Sequence, residues 1–332
     1  MAFEPEIDHL LHAKLSYVEP HSNALSLASI GERVRAAFRT DTIAGYDLST
    51  SPGISYRVYT NSQTIYLDQY SGKILGTMQG PDFWQNAQQF IHQLHLRLAF
   101  RNKGDIGKSI MSWAGVILLI ILPAGLMLWW KQKRMAIRWK EKPRLVWFDW
   151  HSLIGVTAFI FVTILAFTGV MIGFEDQTTP VFYKLTGSKP TASPDIKITP
   201  PVNAKQLSPD SALKIAGAAL PGVLPFNINI PGAADAYEIR CRYPEDRTPG
   251  GRSKVIIDPY SGKVLYAEGS RTAPAGTRLR VINRAIHTGD IFGIFSKTIV
   301  SLASLALGFQ LISGLRMYLL RKWKKKEKVK PA

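Results

Sequence analysis

Three stretches of the chain are apolar and carry no charge: Ser109–Trp130 (22 residues), Ser152–Phe174 (23 residues) and Thr298–Leu315 (18 residues). A bilayer's hydrocarbon core needs roughly 20 helical residues, so each is long enough to span one. Lipid offers backbone groups no partners, so these spans are expected to be helices. Pro123 is expected to kink the first, and Lys297 and Arg316 flank the third with stems that can reach outward. The remaining sequence alternates differently. Leu25–Phe38 has a helical period and precedes two strand-like runs, Tyr56–Thr60 and Thr64–Leu67. Pro209–Leu220 repeats the pattern with Ser208 as its N-cap, followed by strands near Tyr237–Arg242 and Lys254–Ile257.

The two polar regions share a signature. "DQYSGK" (Asp68–Lys73) recurs as "DPYSGK" (Asp258–Lys263), each between runs of β-branched and apolar residues. Asp, Ser and Gly in that setting predict a tight hairpin turn, with Gly supplying positive φ. The likeness extends further: a His-bearing stretch follows each unit, then an apolar helix, then a matched exit. "AGLMLWWKQKR" (Ala124–Arg134) parallels "SGLRMYLLRKW" (Ser313–Trp323). The chain therefore carries an internal duplication of about 110 residues, each copy an outer α+β domain plus a helix. The second copy is also preceded by an apolar helix ending at Phe174-Glu175, which aligns on Phe3-Glu4. The repeat leads us to expect a further helix ahead of Met1, about 20 apolar residues long. A His near its inner end would stand opposite His151.

Charge sets the orientation. The formal net charge is +17, of which Lys131–Arg144 and Arg321–Lys330 contribute +6 each. Two basic blocks beside apolar runs point to a membrane rather than to nucleic acid, and the positive-inside rule puts both in the cytoplasm. Residues 1–105 and 176–290 then lie outside. The expected organisation is a first outer domain (1–90), a His-bearing segment and span (91–130) and a basic loop (131–146). A second span (147–175), a second outer domain (176–286), a third His-bearing segment and span (287–320) and a basic tail (321–332) complete it.

Cys241 is the single cysteine, so no disulfide framework exists, and no C-x-x-C-H motif offers covalent haem attachment. No P-loop, dinucleotide fingerprint, catalytic Ser or Cys constellation or zinc-protease motif is found. Of seven histidines, His9, His12 and His21 lie in the polar N-terminal stretch and read as solvated surface residues. The other four flank the spans: His92 and His95 before the first, His151 at the mouth of the second, His287 before the third. An ionisable group at a span's edge is a functional candidate. His95 lies 27 residues after Asp68 and His287 lies 29 after Asp258, so the repeat places one in each copy. Two facing imidazoles from neighbouring helices supply the axial positions of a six-coordinate b-type haem. His92 and His95 share a helix face, and spacing does not choose between them. Zinc fits less well, since no tetrahedral donor set is apparent. The tryptophans near span ends read as an interfacial belt, and Gly169-x-x-x-Gly173 as a mark of close helix packing.

These features together resemble the PepSY-associated transmembrane proteins of bacterial inner membranes. The resemblance rests on the paired "DQYSGK" and "DPYSGK" domains, "WHSLIGV" (Trp150–Val156), "IHTGDIFG" (Ile286–Gly293) and the basic exits, and covers nearly the whole chain. It implies an α+β membrane protein with two periplasmic PepSY-like domains and four helices, of which this chain supplies three. It also implies a role in iron uptake, since the family includes haem-containing reductases of ferric siderophores. On that reading His95 and His287 are outer ligands of haem b, His151 is an inner one, and a quinone or a reductase protein donates electrons. Two other readings stand beside it: a membrane-anchored binding or regulatory module without enzymatic activity, and an accessory subunit of an iron transporter.

Overall fold

The computed structural model describes residues 2–100, 105–192, 196–202 and 204–327. The chain runs α1 (Glu4–Leu11), α2 (Ala13–Ser16), α3 (Leu27–Ala37), β1 (Ile43–Asp47), β2 (Tyr56–Thr60), β3 (Thr64–Leu67), β4 (Ile74–Met78) and α4 (Phe83–Arg97). Next come α5 (Ile106–Gln132), α6 (Pro143–Gly173), α7 (Glu175–Thr186) and α8 (Pro209–Ala219). The chain continues with β5 (Leu224–Asn229), β6 (Tyr237–Arg242), β7 (Ser253–Ile257), β8 (Val264–Glu268), α9 (Ala275–Thr288) and α10 (Ile294–Glu327). Two compact units result: a helical unit of residues 91–181 and the chain from 280 onward, and a sheet unit of 3–90 and 182–279.

In the sheet unit each copy of the repeat reads a helix followed by four strands. The two copies join edge to edge in one antiparallel sheet of order β4-β3-β2-β1-β5-β6-β7-β8. Residues alternate across it. Val58, Ile65, Tyr46, Ile228, Ile239 and Val255 share one core, where α3 adds Leu27, Ile30 and Val34 at helical spacing and α8 adds Ala212 and Ala216. Ser26 and Ser208 cap their helices by accepting from Ser29 N and Ser211 N. The repeated signature is a turn with its own clamp. Asp68 accepts from Tyr70 N at 2.8 Å and Asp258 from Tyr260 N at 2.8 Å, while Gly72 and Gly262 adopt φ of 71° and 72°. Each signature tyrosine then reaches a distant carbonyl, Tyr70 that of Pro52 and Tyr260 that of Ala233. The recurrence is thus a structural need met twice.

The central strands β1 and β5 lie outside the expected elements. Gly45 and Asp47 in one, Pro225 and two asparagines in the other, have poor strand propensity. Gly45 is required by the pairing: a Cβ there would stand 2.8 Å from the Ile228 carbonyl oxygen. A second device joins the copies. Asp210, at the start of α8, accepts from Leu27 N and Ala28 N at 2.8 and 2.9 Å, so one copy caps the first turn of the other copy's helix.

His12 departs from its reading as a solvated residue. Its ring lies between Asp8 and Asp82, with Nδ1 3.2 Å from Asp8 Oδ1 and Nε2 3.0 Å from Asp82 Oδ2. Asp82 in turn accepts from Gln85 N in the first turn of α4. Burial opposes the charged ring, but the bonds to Asp82 and Asp8 outweigh it and raise its pKa.

Helical in the structure are all three apolar stretches, overrun at their ends by charged residues, and the chain is a membrane protein with three candidate spans: Ile106–Gln132, Pro143–Gly173 and Ile294–Lys322. α5 continues through Pro123.

Asp210→Ala is expected to destabilise the sheet unit by about 1–2 kcal/mol, the loss of a helix cap, seen as a lower Tm by circular dichroism. The His12 bridge should be pH-dependent. Its folded pKa lies above the unfolded value, so its stabilisation is complete below about pH 6.5 and fades as pH rises through the folded value. His12→Ala should therefore lower Tm clearly at about pH 6 and little at about pH 9. Equal losses at both would show that the bridge is not ionic.

Candidate functional site

Within the helical unit, α6 organises the histidines. On one side α9 packs against it: Asn283 Nδ2 donates to the Thr168 carbonyl at 3.3 Å, and one turn later His287 meets the same stretch. His287 Nδ1 lies 3.1 Å from the Leu165 carbonyl oxygen and 3.0 Å from Thr168 Oγ1. Room for the ring comes from Gly169, where a Cβ would stand 3.0 Å from His287 Cε1. Four residues on, Gly173 faces α5 instead, and a Cβ there would collide with Ser112. The two glycines of the G-x-x-x-G thus serve different neighbours, one a helix and one an imidazole.

His95, on α4, brings its ring to His287. The centroids are 6.1 Å apart and the planes differ by 26°. With the rings nearly parallel, this is a stacked pair at the wide end of the range for aromatic contacts. Two imidazoles bound end-on to a single metal at roughly 2 Å per nitrogen, however, place their centroids about 6 Å apart. In donor type and separation, the pair is compatible with a bis-histidine haem iron. Among the described residues no group of three or more His, Cys, Asp or Glu forms a protein-only metal site. Burial, with a smaller contribution from His95, pushes the His287 pKa down to about 4, although its bond to the Leu165 carbonyl works the other way. Burial and then His92 also lower His95. Both rings are neutral at neutral pH, the form that carries a ligating lone pair. His92 sits three residues before His95 on α4, and the ring that meets His287 is that of His95.

His151 lies elsewhere, toward the start of α6. It is 14 residues from Leu165 and 17 from Thr168, which at 1.5 Å per residue separates the two places by about 20–25 Å. His151 Nδ1 bonds Ser313 Oγ of α10 at 2.8 Å, and Gln310 Nε2 donates to the His151 carbonyl at 2.9 Å. Trp147 stacks on Phe309 beside them. Two residues before His151, Asp149 is buried and accepts from Arg138 Nε and NH2, both at 2.8 Å, and from Arg138 N. This pair holds the basic loop against the start of α6.

The sequence singles out the histidines but not the groups that bond them here, Thr168, Ser313 and Gln310. The available signal was small polar groups on an apolar helix face, which lipid does not favour without partners.

A family model described as "PepSY-associated TM region" matches residues 1–321. An uncharacterized protein of Pseudomonas aeruginosa, PA4219, is 26% identical over 129 residues, covering 34% of this chain and 33% of that protein. The chain thus spans about a third of the length of the curated relative it matches.

Proposed function

The chain belongs to the PepSY-associated transmembrane family, and from that premise we propose that it is a b-type haem protein that passes electrons across a bacterial inner membrane to a ferric siderophore. The observation that carries this reading is the facing of His95 and His287 at 6.1 Å. Haem bound there would supply an iron that accepts and releases one electron with little rearrangement. His95 and His287 offer neutral imidazoles from two helices, so a bound iron would need no ligand from solvent. His151 would offer one ligand for a second haem toward the start of α6. The sheet unit lies in the periplasm, where a ferric chelate arrives. The basic loop 131–144 and the tail from Arg321 stay in the cytoplasm, held there by their charge. Electrons come from a quinone or a partner reductase, because no nicotinamide or flavin motif is present in the chain.

An absorption spectrum of purified protein tests the cofactor: a Soret band that shifts on dithionite reduction is expected. A colourless preparation from haem-replete cells would favour a membrane-anchored binding module instead. His95→Ala and His287→Ala should each remove one haem while the circular dichroism of the sheet unit is kept. Loss on His92→Ala with retention on His95→Ala would reassign the ligand.

Topology is testable by single-cysteine labelling without removing the native thiol. Cys241 is fully buried, and burial pushes its pKa up to about 12. A cysteine introduced beside Lys133 should be shielded from an impermeant reagent in intact spheroplasts. Labelling there from the periplasmic side would overturn the orientation.

A further inference from the structure

Two histidines in different parts of the helical unit are held by the same construction. His287 rests on Thr168-Gly169 of α6, and His151 rests on Ser313-Gly314 of α10. In both, the hydroxyl is spent on its own helix. Thr168 Oγ1 donates to the Ile164 carbonyl at 2.7 Å, and Ser313 Oγ donates to the Phe309 carbonyl at 2.7 Å. A hydroxyl has one hydrogen, so while that bond is made each accepts from the imidazole. The Leu165 carbonyl, the other partner of His287, is likewise an acceptor. Nδ1 of His287 therefore carries the proton and Nε2 the lone pair, and His151 takes the same tautomer while Ser313 Oγ keeps its bond to the Phe309 carbonyl. The glycine after each hydroxyl is the ring's neighbour, closely at Gly169, where a Cβ would be 3.0 Å from His287 Cε1, and in ordinary contact at Gly314, where a Cβ would be 3.8 Å from His151 Cε1.

We propose that Thr168-Gly169 and Ser313-Gly314 are matched seats in which Thr168 and Ser313 act as positioning residues, fixing His287 and His151 in the Nδ1–H tautomer so that Nε2 is the nitrogen offered to iron. This rests on the haem reading above. An acceptor on Nδ1–H also makes the imidazole a stronger donor to metal, which favours the ferric state and lowers the reduction potential. The two seats differ in strength. His287 keeps the Leu165 carbonyl when Thr168 is replaced, whereas the Nδ1 of His151 bonds Ser313 Oγ at 2.8 Å.

The test is a spectroelectrochemical titration of full-length, haem-loaded protein, with haem content measured in parallel. Thr168→Val should raise the midpoint potential of the haem that His287→Ala removes. Ser313→Ala should raise the potential of the haem lost in His151→Ala by more, or release it altogether. Thr168→Ser and Ser313→Thr, which keep the hydroxyl, should restore wild-type behaviour. Potentials and haem content unchanged in Thr168→Val and Ser313→Ala would overturn the seats and leave the haem assignment standing. Equal damage from the hydroxyl-keeping variants would also overturn them, because side-chain size rather than the hydrogen bond would then be responsible. An effect at Thr168 with none at Ser313 would confine the construction to α6. A wild type that binds no haem would be recognised before any variant was made, and would end both readings.

Discussion

Equivalent elements of a duplicated chain meet each other, and this constraint governs both units. In the sheet unit the first strand of one copy pairs with the first strand of the other, Tyr46 against Ile228 and Gly45 against Asn229. Further bonds, Ile230 N to the Ala44 carbonyl and Leu48 N to the Phe226 carbonyl, extend the seam. Without this pairing each copy would be a four-stranded sheet with an open central edge, the kind that invites association with other chains. With it, buried residues from both copies, twenty among the described residues, form one core. In the helical unit the equivalent histidines, His95 and His287, face each other in the same way. Equivalent residues of two like copies meet when the copies pack about a common axis, as in symmetric oligomers.

Most of the sheet unit was legible in the sequence because its outer strands alternate cleanly. The β2 and β3 ranges coincide with the expected ones, and α8 starts on its expected Ser208 cap. The central pair was not legible. β1 and β5 are strands by virtue of their neighbours, and Gly45, Asn227 and Pro225 oppose the assignment locally. A strand buried between two others gains ladder bonds on both edges, and that tertiary gain overrides propensity. The edge-to-edge joining of the copies thus depended on residues that argue against it when read alone.

The histidines were legible by their place in the repeat, but their surroundings were not. Thr168 and Ser313 sit inside apolar runs where spacing predicts only lipid or packing contacts. Nor does helical periodicity reveal that Gly169 faces an imidazole while Gly173 faces Ser112. His12 shows the converse error. A polar context suggested solvent, yet Asp82 lies 70 residues away in sequence and closes over the ring. Long-range partners of polar groups are the part of a fold that local pattern carries least.

The departures from symmetry show what covalent duplication permits. Asp210 and Ala28 occupy equivalent places, two residues after the capping serines Ser208 and Ser26. Asp210 reaches across to the amides of Leu27 and Ala28, but Ala28 has nothing to send back. Two identical chains in this arrangement would place an aspartate on each side, and the two carboxylates would face each other across neighbouring helix starts. Like charges at that separation repel, which would cancel part of what each cap contributes. Joined in one chain, the copies can differ, so one keeps the carboxylate and the other keeps the amides. The same freedom appears in the helical unit, where Ser313-Gly314 of α10 corresponds to Ala124-Gly125 of α5. The glycine is retained in both, but only α10 has the hydroxyl that holds an imidazole.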